Sequence, residues 1–181
     1  GKKEWYDEPV RLGENQPVLV EGLHALNPKL TYFVPGYQQM RIYLSALTQI
    51  NINNHNRIST SDTRLLRRMV RDVQYRGHSP EDTLPIWKSV RRGEEENTFS
   101  FQNRADRVFN SALIYELPVL KKMTRPMLER IKKGNPLYPE AQRLIHFFEP
   151  FRELSDDFVP DNSILREFIG YKKTKFSQKE S

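Results

Sequence analysis

The sequence of 181 residues contains no cysteine, and this absence excludes several kinds of chemistry. Disulfide bonds, thiolate metal sites and a cysteine nucleophile all require the missing side chain. A lack of cysteine fits a cytoplasmic protein, which is the location that we expect. The chain also lacks an apolar run of the roughly 20 residues that a membrane-spanning helix needs, so no membrane partner is expected. The first ten residues, GKKEWYDEPV, have no apolar stretch after the lysines and do not resemble a secretory signal.

Two common phosphate-binding loops are missing as well. Neither G-x-x-x-x-G-K-[ST] nor G-x-G-x-x-G occurs anywhere in the chain. The four histidines are scattered without the spacing of metal ligands. The sequence therefore contains neither a glycine-rich cradle for nucleotide phosphates nor a histidine-based metal motif.

The chain has an excess of positive charge and many aromatic side chains. The net charge is +6, which favours a polyanionic partner such as a nucleic acid, a nucleotide or a phosphorylated substrate. Part of this excess lies in residues 171–181, a basic tail for which a solvated surface is the default interpretation. Aromatic residues make up 11% of the chain, which indicates a folded domain rather than a disordered segment. The length fits one domain with a hydrophobic core.

Short apolar runs alternate with segments of helical periodicity. Residues 17–22, 40–46 and 105–111 are predicted strands, and they are spread among the predicted helices. This order predicts an α/β fold with a parallel sheet rather than a helical bundle. The predicted helices after residue 60 cover 63–77, the stretch after Ser79 with a kink or restart at Pro85, and 113–123, 125–132, 139–154 and 163–168.

The first of these predicted strands ends in Glu21 and is followed by Gly22. Ligands of open parallel α/β sheets bind at the carboxyl ends of the strands. Glu21 is therefore a candidate acid that holds Mg²⁺ through water, with His24 and Asn27 on the loop that follows. Because an apolar run ending in Glu-Gly is common, a purely structural role stays equally open at this point.

The segment TRLLRRMVRDVQYRGHS, residues 63–79, places five arginines and one histidine around an apolar stripe. Its apolar residues recur at spacings of three and four, which predicts an amphipathic helix capped at Ser61 and ending at Gly77. Arginine offers a planar fork that matches phosphate oxygens. A phosphate clamp, a solvated or structural face and a nucleic-acid-binding helix all remain open. The predicted stripe is Leu65, Leu66, Met69, Val70 and Val73, and the predicted polar side is Arg64, Arg67, Arg68 and Arg71.

The carboxylate run Glu94, Glu95 and Glu96 follows in the next predicted helix, and Trp87 and Val90 are predicted to point inward there. Runs of like charge mostly lie on solvated faces, so we expect all three carboxylates to be exposed. A site role for these residues is therefore not predicted.

Several segments taken in order resemble one enzyme family. They are VLVEGLHALNP, RIYLSALT, NHNRISTSDTRLLRRMVRDVQYRGHS, WKSVRRGEEENTFSFQNRADRVFNSALIYELPVLK and NSILREFIG. Together they resemble the bacterial uridine kinase-like proteins, within the uridine kinase and phosphoribulokinase group of P-loop kinases. The resemblance covers nearly the whole chain from Pro17 onward. It implies a single partial kinase domain over residues 1–181, with an arginine-rich lid at about 57–104, a helical C-terminal part at about 112–170 and the basic tail.

The resemblance also implies an activity. Members of this group transfer the γ-phosphoryl of ATP, with Mg²⁺, to a hydroxyl of a nucleoside or related small molecule. The segment RRMVRDVQYRG is similar to the family's lid motif RR-x-x-RD-x-x-x-RG. The implied catalytic residues are Glu21, Arg68 and Arg71, and the implied metal residue is Glu21, through water. The implied nucleotide-binding residues are Arg71 and Arg76, the implied substrate-binding residues are His24, Arg68 and His78, and Asp72 is implied to brace an arginine.

Two departures from the family's pattern bear on the substrate. This chain has His78 where the family commonly has arginine, and Ile86-Trp87 where it has a Gln-Tyr pair whose glutamine contacts the base. Both departures leave the identity of the phosphoryl acceptor open.

In the family, the P-loop and the catalytic aspartate precede the segment that resembles Lys2 and Lys3. The resemblance thus implies the C-terminal part of a longer kinase, and we expect no appreciable turnover from this chain alone. We also expect an exposed sheet face and possible self-association. The alternative hypothesis is a non-catalytic module that binds nucleic acid or another polyanion.

Overall fold

The computed structural model of the protein describes residues 11–47, 58–97 and 99–171. Two strands and six helices lie in these ranges, together with three short 3-10 turns at Gly36–Gln38, Phe99–Arg104 and Asp156–Phe158. The strands are β1 (Ile42–Ser45) and β2 (Arg107–Asn110). The helices are α1 (Pro28–Thr31), α2 (Thr60–Tyr75), α3 (Pro80–Asn97), α4 (Glu116–Leu128), α5 (Tyr138–Phe148) and α6 (Arg166–Ile169).

The two strands form a parallel pair, with Ile42 opposite Arg107 and Ser45 opposite Asn110. The strand predictions at 40–46 and 105–111 are therefore confirmed, as is the mixed α/β class with parallel pairing. In the described ranges the sheet has these two strands alone. One face of the pair, which includes Leu44 and Phe109, is exposed to solvent.

The strand predicted at residues 17–22 is wrong, because these residues are irregular in the structure. Val18, Leu19 and Val20 are 57%, 89% and 61% exposed. A strand needs a neighbour that satisfies its backbone N–H and C=O groups, and no strand in the described part of the chain pairs with this run. The physical basis for placing Glu21 at the end of a buried strand is thereby lost.

Helix α2 carries the predicted apolar stripe into the core. Leu65, Leu66, Met69 and Val70 have no exposed surface, and each such burial stabilises the fold by about 1.5–3 kcal/mol. The helix begins earlier than predicted, because the Ser59 hydroxyl, rather than that of Ser61, accepts the backbone N–H of Asp62 at 3.2 Å. Gly77, at φ +64°, follows the end of the helix as predicted.

Helix α3 begins in a reciprocal cap between Ser79 and Asp82. The backbone N–H of Ser79 donates to the Asp82 carboxylate at 2.8 Å, and the Ser79 hydroxyl accepts the backbone N–H of Asp82 at 3.2 Å. The helix continues through Pro85 without a break, so the predicted restart at that residue is wrong. Trp87 is half-buried against the core, in line with its predicted inward direction.

The core lies where α2 packs against α3, α4 and α6, and α4 packs against α5. The helices predicted at 113–123 and 125–132 are a single helix, α4, while α5 and α6 are shorter than predicted. No helix in the described residues is both long enough and apolar enough to cross a bilayer. The central core side chains include Leu66, Leu120, Leu144, Phe148 and Leu165.

Candidate functional site: an arginine-lined cleft

A cleft of about 230 Å³ opens beside the arginine face of α2. Helix α2 supplies one wall, α3 a second, and α6 together with the residue after β1 completes the lining. The lining residues are Arg64, Arg67, Arg68 and Arg71 from α2, Trp87, Val90 and Glu94 from α3, Phe168 from α6, and Ala46.

Arg67 forms the buried floor of this cleft. Its Nε donates to the Glu116 carboxylate at 2.6 Å, its Nη2 donates to the backbone carbonyl of Ser111 at 3.0 Å, and its guanidinium lies 5.2 Å from the centre of the Phe168 ring. The prediction that Arg67 lies on the polar side is wrong. Position 67 lies about one helical turn before the buried residue Val70, at the edge of the same stripe.

Glu116 is almost fully buried beside Arg67. Burial raises the pKa of Glu116, and the charge and hydrogen bonds of Arg67 oppose this rise. The pair links α2 to the start of α4. Removing Arg67 would leave the Glu116 carboxylate buried without the charge that offsets its burial.

Arg64 joins α2 to α3 and to β1. Its Nη2 lies 2.5 Å from the Glu94 carboxylate, and its Nη1 donates to the Ser45 hydroxyl at 3.3 Å. Glu94 is buried, so the prediction of a solvated carboxylate run is wrong at this residue. Glu94 lies four residues after Val90 and seven after Trp87, which places it on the inner face of α3.

Asp72 gathers three arginines around one fully buried carboxylate. Arg68 Nε donates to Oδ2 at 3.2 Å. Arg76 Nη1 lies 3.1 Å from Oδ1 without hydrogen-bond geometry, and Arg71 Nε lies 3.9 Å from the same atom. Of the three arginines, Arg68 is the one that donates a hydrogen bond to Asp72, while Arg71 and Arg76 contact it as ion pairs.

Arg71 differs from the other arginines of the cleft. Arg64, Arg67 and Arg68 each donate a hydrogen bond to a carboxylate, whereas the buried Nε of Arg71 has no hydrogen-bond partner. Burial lowers the pKa of Arg71, and the nearby Arg76 lowers it further, yet a guanidinium remains charged at neutral pH. Its side chain is 30% exposed and lines the cleft. An anion bound in the cleft would meet the exposed part of this side chain, which belongs to a guanidinium that no carboxylate holds by a hydrogen bond.

The structure brings together only some of the residues that were expected from the sequence to form the site. Arg68 and Arg71 line the cleft, and Arg76 adjoins it through Asp72. Glu21, His24 and His78 are exposed and are not among the residues that line the cleft.

A metal site is not assembled by the described residues. They contain no group of three or more His, Asp or Glu side chains close enough to hold an ion. In the described part of the chain, Glu21 therefore belongs to no set of three protein ligands.

Comparison of the chain with protein-family models, curated proteins and solved structures gave no match. The sequence pattern indicated the α2 arginines, while Glu94, Phe168 and Ala46 were missed. Phe168 and Ala46 come from segments more than 100 residues apart, and only the fold brings them together.

Proposed function

We propose that the arginine-lined cleft binds a phosphoryl group of a nucleotide, and that the chain is part of an ATP-dependent, nucleoside kinase-like phosphotransferase. The observation that supports this most is that Arg71, alone among the four arginines that line the cleft, donates no hydrogen bond to a carboxylate. Phosphoryl transfer depends mainly on positioning and on neutralising the charge of the moving phosphoryl group. Positioned guanidinium groups meet both requirements.

Each residue has a role in this proposal. Arg71 contacts the phosphoryl oxygens directly, and Arg68, held by Asp72, contributes a second guanidinium from the same helix face. Arg76, beside Asp72, is assigned to the nucleotide, and His24 and His78, which are not among the residues that line the cleft, are assigned to the acceptor. Helices α2 and α3, joined by Arg64 and Glu94, exclude water from the phosphoryl group, which limits hydrolysis.

The charge balance of the cleft favours a small ligand over a nucleic acid. Four arginines line the cleft, and carboxylates of Glu94, Glu116 and Asp72 hold three of them by hydrogen bonds. One arginine, Arg71, is left for an external anion. A groove that follows a nucleic-acid backbone needs a row of available cations instead.

The test is a calorimetric titration of the chain with ATP and Mg²⁺. We expect saturable binding at one site, and Arg71→Leu should weaken it about 10- to 150-fold, because a hydrogen bond to a charged group contributes about 1.5–3 kcal/mol. Arg91→Leu is the matched control, since Arg91 is an exposed arginine of α3 outside the cleft. We expect no appreciable turnover with nucleosides from this chain alone.

Two results would contradict the proposal. One is the absence of saturable ATP binding at millimolar concentration, and the other is an equal effect of both substitutions. A single-stranded RNA that binds more tightly than ATP would support the polyanion-binding module instead. For such a module, the logarithm of the binding constant should fall against the logarithm of the salt concentration with a slope of about −0.7 per contacted phosphate.

A further inference from the structure

Helix α6 is a single turn near the C-terminal end of the described chain, and it is firmly attached to α2. Gln74 of α2 donates from its side chain to the backbone carbonyl of Ile169 at 2.9 Å. Leu165 and Ile169 are buried in the core. Arg166, also buried, donates to the backbone carbonyls of Asp156 at 2.9 Å and Val159 at 2.5 Å. The position of α6 beside the cleft is thus fixed by packing and by hydrogen bonds.

Phe168 is the residue of α6 that lines the cleft, and it also packs against the core. Its neighbour Ile169 is buried, whereas the Phe168 ring is only half-buried and lines the cleft. One side of the ring meets the guanidinium of Arg67, with 5.2 Å between the guanidinium carbon and the ring centre. The cleft therefore combines an arginine with an unsatisfied Nε and an aromatic ring held in place by a second arginine.

We propose that Phe168 is a specificity-determining residue of the cleft, which contacts the planar ring of a ligand whose anionic group is bound by Arg71. This inference rests on the proposed phosphoryl site. Aromatic side chains stack on planar rings with little dependence on ring identity, and Trp87 provides a second aromatic side chain in the same cleft. The C-terminal element α6 then belongs to the ligand site as well as to the core. Through Phe168, α6 selects anions that carry an aromatic ring over anions that do not.

The test compares AMP with ribose 5-phosphate, which share the sugar and the phosphate and differ in the base. We expect the wild-type chain to bind AMP about tenfold more tightly than ribose 5-phosphate. Phe168→Leu keeps the apolar volume but removes the ring, so it should abolish this preference and change the ribose 5-phosphate affinity less than about twofold. Phe168→Tyr keeps the ring and should retain the preference. Phe158→Leu, at a 74% exposed phenylalanine outside the cleft, is the control.

The outcomes separate this inference from the proposed function. If Phe168→Leu weakens both ligands equally, or neither, Phe168 does not select the ring, and the inference is wrong while the phosphoryl site stands. If ATP binds at Arg71 but wild type shows no preference for AMP, the same conclusion follows. If no phosphate ligand binds, the proposed function fails as well.

A measurement on the wild-type chain covers the case in which Phe168→Leu does not fold. Nuclear Overhauser contacts between the base protons of AMP and the ring protons of Phe168 should appear at saturating AMP, with the Phe168 resonances assigned from Phe168→Tyr. Their absence at saturation overturns the inference.

Discussion

Replacing Arg67 by methionine should strongly destabilise the fold. Arg67 and Glu116 form an ion pair whose side chains are 7% and 1% exposed. Methionine keeps much of the length of the side chain but leaves the Glu116 carboxylate buried without its partner. Breaking a buried pair on one side costs about 3–5 kcal/mol of the free energy of unfolding. Since small domains have about 5–15 kcal/mol in total, the variant should lie near the limit of stable folding.

Urea unfolding followed by circular dichroism measures this loss, and a double-mutant cycle identifies its source. The double variant Arg67→Met with Glu116→Leu has no uncompensated charge and should recover most of the lost stability. The control is Arg91→Met, which removes an exposed partner of Glu95 and should cost less than about 1 kcal/mol. A loss below about 1 kcal/mol for Arg67→Met, or no recovery in the double variant, would refute the buried-pair account.

The pH dependence of Arg67→Met gives an independent check. Without Arg67, only the backbone N–H of Leu113 opposes the rise that burial causes in the pKa of Glu116. A carboxyl group whose folded pKa exceeds its unfolded value of about 4.3 stabilises the fold when protonated, below that value. This stability is lost as the pH rises through the folded pKa, so the deficit of the variant should be smaller near pH 4 than near pH 7. A deficit that is larger in acid would show that Glu116 is not its cause.

The remaining predictions concern the cap of α3 and the core. Hydrogen bonds from Ser79 hold the pKa of Asp82 below its usual value, so the stability that Asp82 contributes is present above about 3.9 and is lost as the pH falls through the lower folded pKa. Asp82→Asn should therefore lower the melting temperature at neutral pH and have little effect in strong acid, as thermal scans across pH can measure. Phe148→Ala should cost about 3–5 kcal/mol in urea unfolding because Phe148 is fully buried, whereas Phe158→Ala, at an exposed ring, should stay within about 0.5 kcal/mol.

The secondary structure that local pattern determines could be predicted from the sequence. The apolar residues of α2 repeat at helical spacing, and β1 and β2 are each centred on adjacent apolar residues with polar residues nearby, so these elements were found. The run at 17–22 has an equally apolar pattern but is exposed and irregular. Whether such a run becomes a strand depends on a neighbouring strand, and that is a property of the fold rather than of the run.

The candidate site was only partly predictable for a similar reason. The sequence identified Arg68 and Arg71, but it could not show which arginines are already paired. Arg67 and Arg64 are neutralised by Glu116 and Glu94, which lie 49 and 30 residues away along the chain. The helical phase of position 67, about one turn from Val70, indicates a buried position. The charge of the arginine side chain indicated an exposed one, and the prediction followed the charge.

The availability of Arg71 for a phosphoryl group is the central claim, and the Nε–Hε resonance of Arg71 tests it most directly. This group is buried and has no hydrogen-bond partner, and a phosphoryl group bound at the exposed part of the same side chain would change its surroundings. We predict that ATP shifts the Arg71 Nε–Hε signal in ¹H–¹⁵N spectra and saturates at one ATP per chain. The Nε–Hε signal of Arg91, which already donates to Glu95 at 3.1 Å, should stay in place. An Arg71 signal that does not move at millimolar ATP, or that moves no more than that of Arg91, would contradict the claim.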